Sequence, residues 1–287
     1  MISQRQSLSP TFALGHWAAL EDDFAQRREL VTMLRAGGVL TVGGGALKVL
    51  ELLEQVGVFR NGGVLVGSHA FVAFGNMLGF MWDKASLRTQ DVDIPRDEHI
   101  RIAAEPAGES DLAGALLDAE MGFFEVPALD WKQPSTSYKV RGRQLHVDVL
   151  TPLRGRTRDA PVYLPSLKTA AQPLRFLDYL LEETQPAVLV GNAGVLVQVP
   201  HPARFALHKL LTSGQRPVSQ HGKARKDLWQ AEQVLAALLD ERPGDLALAW
   251  RALEARGVRW TKRVVEAGGG IGREVWEEAL QRMGWQR

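Results

Sequence analysis

The 287-residue chain contains no cysteine. That absence excludes disulfide bonds, thiolate zinc sites and a cysteine nucleophile, and it fits a reducing compartment. A dominant charge is also missing. With 34 basic against 33 acidic residues the formal net charge is +1, so no global field draws the chain to nucleic acid, membranes or acidic partners, and any electrostatic function must be local. No run approaches the roughly 18 apolar residues that a membrane span requires, and Met1 to Asp23 lacks a charged start followed by an apolar stretch. These absences lead to the expectation of a soluble, cytoplasmic protein. What is present is 45% hydrophobic content, enough over this length to bury at least one core and to build two modest domains.

From Leu20 to Arg60 apolar residues fall at helical spacing, with Ala46, Leu47, Leu50, Leu53 and Val56 forming a stripe that Gly57 ends. This predicts an N-terminal helical segment over residues 1–60. The Gly43-Gly44-Gly45 run before the stripe lacks a clear preceding strand and G-x-G-x-x-G spacing, so it reads as a turn between helices. Chemistry becomes visible at Val64-Leu65-Val66, a short apolar strand running into Gly67-Ser68 and then a helical pattern through Ala70, Phe71, Phe74 and Leu78. A strand, tight turn and helix present unpaired amides and the positive end of a helix dipole, which suit a phosphate. The plain alternative is a helix cap.

In Asp91-Val92-Asp93-Ile94, period-two alternation puts both carboxylates on one face and Val92 and Ile94 on the other. Two acids held this close repel unless a cation, a proton or an arginine compensates them, and magnesium with oxygen ligands is the usual solution. A solvated edge strand would carry the same two residues. A second alternating strand, with Leu145, Val147 and Val149 against His146 and Asp148, follows the turn at Gly142. Paired beside the first with its apolar face down, it projects Asp148 into the same space. Three carboxylates suit a two-metal site, in which ions about 3.5 to 4 Å apart clamp both oxygens of an in-line phosphoryl transfer.

Residues 187–190 and 195–199 flank Gly191-Asn192-Ala193-Gly194, a hairpin signature without assigned chemistry. From Pro200 the chain is helical, and between His201 and Asp227 six basic residues (Arg204, Lys209, Arg216, Lys223, Arg225, Lys226) face one acid. Such a span is either a solvated face or a wall that neutralises a triphosphate, and the carboxylates upstream favour the wall. Lys226-Asp227 is read as the start of a long helix ending near Arg242-Pro243-Gly244, followed by two shorter helices to Trp285, with Gly268-Gly269-Gly270 as the turn between them.

The ordered set Val64-Leu65-Val66-Gly67-Ser68, Thr89-Gln90-Asp91-Val92-Asp93-Ile94 and His146-Val147-Asp148-Val149 resembles the DNA polymerase beta-like nucleotidyltransferase superfamily. Pro202-x-x-Phe205-x-x-His208-Lys209-Leu210 and Lys223-x-x-Lys226-Asp227-Leu228 are similar to the branch that contains bacterial abortive-infection toxins. The resemblance covers about Val64 to Leu239. It implies an α+β fold: a small mixed or antiparallel sheet flanked by helices as a catalytic domain (61–200), with a C-terminal helical bundle (201–287). It also implies a magnesium-dependent transfer, with manganese as an alternative ion, that moves a nucleoside monophosphate from a nucleoside triphosphate to a hydroxyl. Asp91, Asp93 and Asp148 would hold two ions. Gly67 and Ser68 would receive the phosphates, and Lys209 with Lys223 or Lys226 would steady them as pyrophosphate leaves. The segment Phe74 to Leu87, with Trp82 and Lys84, is expected to shape the substrate entrance. His69 and His146 flank the motifs, equally as packing or surface residues. The acceptor, whether a tRNA end, a protein hydroxyl or a small molecule such as an aminoglycoside, is not encoded in these motifs. Two rivals remain: a silent member of the fold that only binds, and a helical nucleic-acid-binding protein, which lacks a supporting aromatic-basic run.

Overall fold

Alternating branched apolar residues build a mixed sheet centred on the strand that carries Asp148. In the computed structural model, which describes residues 10–83, 91–99, 110–128, 130–155 and 160–285, the strands are β1 (Asp91–Pro95), β2 (Phe123–Glu125), β3 (Ser137–Val140), β4 (His146–Pro152), β5 (Val162–Leu164) and β6 (Thr169–Leu174). β4 runs antiparallel to β3 and parallel to both β1 and β6, and the order β2-β3-β4-β6-β5 is completed by β1 on β4. Val92, Ile94, Val147 and Val149 are fully buried. This fixes the register, because a one-residue slip would turn all four to the opposite face.

Val64-Leu65-Val66, expected as a strand, is extended chain outside any regular strand. Its amides nevertheless donate to both sides: Val64 to the Pro95 carbonyl at 2.9 Å, Val66 to Asp93 at 3.2 Å and Leu65 to Gln198 at 2.7 Å. The segment thus joins β1 to a two-stranded sheet, the expected hairpin of β7 (Thr184–Leu189) and β8 (Val195–Pro200).

The helices are α1 (Pro10–Ala36), α2 (Gly44–Gln55), α3 (Gly67–Leu78), α4 (Leu112–Asp118), α5 (Leu177–Leu181), α6 (Pro202–Ser213), α7 (His221–Glu241), α8 (Pro243–Glu254), α9 (Val258–Gly268) and α10 (Arg273–Met283). α2 buries Ala46, Leu50 and Leu53 of the predicted stripe, together with Val49. α6 packs on α3 through Phe205, which meets Phe74 edge-on at 5.0 Å. Burying each such ring contributes about 1.5–3 kcal/mol. α7 starts earlier than expected, because a 3-10 turn over Val218–Gln220 after Pro217 already winds the chain, so Lys226 and Asp227 lie in its second turn. Beyond it come three helices rather than two, with a break at Ala255–Gly257 between α8 and α9. One buried apolar cluster extends from Leu40 to Met283.

Trp82 is a core residue and not part of a substrate entrance. It is buried, stacks on Phe71 at 4.7 Å and donates its indole N–H to the Phe71 carbonyl. Lys84, Arg88, Thr89 and Gln90 lie outside the described residues, as does the first part of the stretch from Ala103 to Met121, whose sequence also has a helical portion. The described part of that portion is α4, where the Asp111 carboxylate accepts from the Gly114 amide at 2.7 Å as an N-cap. Among the described residues no helix is long and apolar enough to cross a membrane.

Candidate functional site

The parallel register of β1 and β4 sets Asp93 opposite Asp148 and Asp91 opposite His146. Because the valines and isoleucine between them are buried on one face, these four polar residues share the other. Burial, with Asp148 as the foremost neighbouring charge and Lys209 in partial opposition, pushes the Asp93 carboxyl up to about 6. Like charges at this spacing repel, and the structure already places a cationic group among them. His146 has Nδ1 3.2 Å from an Asp91 oxygen and Nε2 3.2 Å from an Asp148 oxygen. The hydrogen bond to Asp148, against the effect of burial, raises the imidazole to about 9, so His146 is an imidazolium at neutral pH. Burial would raise the Asp148 carboxyl, but hydrogen bonds from His146 and Ser137, together with the charges of His146 and Lys223, hold it below the ordinary value.

Gly67 opens α3 directly beside these acids. Its φ is +66°, and a Cβ there would stand 2.6 Å from Asp93 Oδ2. Only a glycine lets the backbone approach the carboxylate this closely. Val66 at the N-cap position has no side-chain acceptor for the first amides of α3, which leaves the helix N-terminus suited to an anion. Ser68 is buried, and its hydroxyl accepts from Gln230 Nε2 of α7 at 3.2 Å, tying the helical bundle to the turn. His69 is buried as well. Burial lowers it to about 4, so it is neutral.

The opposite wall comes from α6 and α7. Asp227, buried, accepts from Lys209 Nζ on one oxygen and Arg216 Nε on the other, each at 2.6 Å. The three groups carry one net positive charge. Lys226 and exposed Lys223 add two more, and burial, then Lys209, lowers the Lys226 ammonium. A cleft of about 590 Å³ is lined by Gly67, Ser68, Asp91, Asp93, Asp148, Lys209, Lys223 and Lys226, so every predicted site residue borders it. Arg204 does not belong to the expected basic wall. It is buried elsewhere, bonded to Glu182, Glu183 and the Tyr179 carbonyl.

A family model described as a nucleotidyltransferase matches residues 45–254. The chain belongs to this nucleotidyltransferase family. A crystal structure of an antigenic nucleotidyltransferase-like protein from Paracoccidioides brasiliensis is similar at 18% identity and a TM-score of 0.35, covering 71% of this chain and 91% of that one. A comparison with curated proteins gives no match.

Among the described residues no cluster of three or more His, Asp or Glu side chains is arranged to hold a metal ion. His146 lies between Asp91 and Asp148, 3.2 Å from an oxygen of each, and contributes a positive charge there. Sequence reasoning missed that role, although His146 is two positions from Asp148 on one strand face. It also missed Asp227 as the group that fixes Lys209 and Arg216, a pairing between two helices with no short-range signature.

Proposed function

We propose that this protein transfers a nucleoside monophosphate from a nucleoside triphosphate to an acceptor hydroxyl, releasing pyrophosphate. The observation that carries the reading is the cleft with opposed walls: Asp91, Asp93 and Asp148 on the sheet face, Lys209, Lys223 and Lys226 on the helices. The donor set fits magnesium, because all three side chains offer hard oxygens and the Asp93 carboxyl, raised by burial and then by the Asp148 charge, would be held ionised by a divalent cation. When bound there, magnesium would neutralise phosphate charge and promote ionisation of the attacking hydroxyl. Manganese offers the same ligand preferences.

The chain's own groups do the rest. The amides of Gly67 and Ser68, at the start of α3, receive a phosphate, and the glycine brings the backbone to the carboxylates. Lys226 and Lys223 hold the leaving phosphates as mobile point charges, while Lys209 is held in place by Asp227. Asp148, which hydrogen bonds from His146 and Ser137 keep ionised against the effect of burial, would take the acceptor's proton directly or through water. Because the cleft contributes charge on both sides, most of the rate arises from positioning and electrostatics.

Replacing Asp93 or Asp148 by Asn tests the reading. Magnesium-dependent labelling of macromolecules in an extract, supplied with each labelled triphosphate, is expected to fall about 10³-fold, or about 4 kcal/mol of barrier. Wild-type labelling by either variant would overturn it. Triphosphate binding without any turnover by the wild type would point to a silent binding module.

A further inference from the structure

A second cavity, of about 510 Å³, opens off the cleft and shares Arg175, Phe176 and Gln215 with it. Arg259, Trp260 and Arg263 complete its lining, so among the described residues three guanidinium groups and no carboxylate line it. Arg259 and Arg263 stand at i, i+4 on exposed turns of α9, a spacing at which like charges repel. The carboxylates beside Trp260 are already taken, since Arg256 bonds to Asp178 and Glu182. Phe176 meets Trp260 edge-on at 4.6 Å, and the Arg263 guanidinium lies 5.7 Å over the Phe176 ring. The backbone of Phe176 has φ of +69°, a region that a bulky side chain occupies only when its surroundings impose it. That strain places an aromatic ring on the border between the two cavities.

We propose that this pocket binds the acceptor as the single-stranded end of a nucleic acid, an inference that rests on the nucleotidyl-transfer reading of the adjoining cleft. Guanidinium forks match phosphate oxygens, and the Arg263 guanidinium plane, backed by the Phe176 ring, suits the face of a base. A terminal hydroxyl would then extend across Phe176 toward Asp93 and Asp148. The same positive charge repels a polycationic small molecule such as an aminoglycoside. In the sequence these groups are divided between Arg175-Phe176 and Arg259-Trp260-Arg263, which is why no aromatic-basic run is visible there.

The test uses the intact protein and a labelled single-stranded RNA of about 12 nucleotides, titrated by fluorescence anisotropy without triphosphate. Contacts to three phosphates predict that log affinity falls with log salt at a slope of about 2. Arg259→Ala combined with Arg263→Ala should weaken binding at least about tenfold and lower the slope by about 1.4, with triphosphate affinity by calorimetry unchanged. Both side chains are exposed, so the variant folds, and Arg263→Lys, which keeps charge but loses the fork, should fall between. Absent RNA binding by the wild type, or equal binding by the double variant, overturns the assignment. A parallel loss of triphosphate affinity overturns it too, assigning the pocket to the donor nucleotide. Arginine-dependent RNA binding in a protein that shows no nucleotidyl transfer would sink the cleft's reading and leave this RNA site standing.

Discussion

Gly67→Ala separates the chemistry of the cleft from the stability of the fold. Gly67 has φ of +66°, so an alanine there meets the left-handed penalty of about 1–2 kcal/mol. Its Cβ would also fall 2.6 Å from Asp93 Oδ2, a distance no carbon tolerates, and the carboxylate must move aside. Gly79, at the other end of α3, has φ of +75° and nothing within 4 Å of an added Cβ. Gly79→Ala therefore carries the backbone penalty without the clash. Both variants should lose roughly 2–4 °C of melting temperature for each kcal/mol. Only Gly67→Ala should lose transfer, by about 10²-fold in kcat/KM for a displacement near 1 Å. Calorimetric melting and labelled-nucleotide transfer, measured on the same preparations, decide the matter. Wild-type transfer by Gly67→Ala, or equal losses of activity in both variants, would refute the placement of Gly67 against Asp93.

Three other perturbations address the surroundings. Asp227→Asn leaves Lys209 and Arg216 without their shared carboxylate and should cost about 3 kcal/mol in denaturant unfolding. Burial would raise Asp227, but Lys209 and Arg216 outweigh it and hold its pKa below the unfolded value. Its stabilisation is thus complete above about pH 4 and is lost as pH falls through the folded pKa, so that acid limb of the stability curve should flatten in Asp227→Asn. Trp82→Ala removes a buried ring stacked on Phe71 and should lower stability by about 3–5 kcal/mol, seen as a shifted urea midpoint. Arg204→Ala should cost about 1–3 kcal/mol while kcat/KM stays within about twofold, because Arg204 braces Glu182, Glu183 and Tyr179 away from the cleft. A large loss of kcat/KM there would return it to the phosphate wall.

Local periodicity made much of the site legible. The alternation in Asp91-Val92-Asp93-Ile94 and in His146-Val147-Asp148-Val149 is enough to place three carboxylates on polar strand faces, and β1 and β4 bear this out. Their parallel pairing was not legible, because it depends on β2 and β3 intervening in the chain and on a register set by buried packing. Val64-Leu65-Val66 has strand composition, yet its hydrogen bonds are split between two sheets. β6 was missed because Pro173 interrupts its pattern. Charge counting along the sequence grouped Arg204 with Lys209, whereas helical geometry turns Arg204 toward Glu182 and Glu183 and leaves Lys209 on the cleft. Side chains whose partners are distant in sequence, such as Asp227 with Lys209 or Gln230 with Ser68, carry no local signal at all.

The position of the label in the triphosphate tests the central claim most directly. Wild-type protein with magnesium and an RNA acceptor, supplied with either α- or γ-labelled nucleotide, should retain the α label on the acceptor and release the γ label as pyrophosphate. Asp93→Asn should do neither. Transfer of the γ label, or retention of the α label by Asp93→Asn at the wild-type rate, would contradict nucleotidyl transfer by these carboxylates.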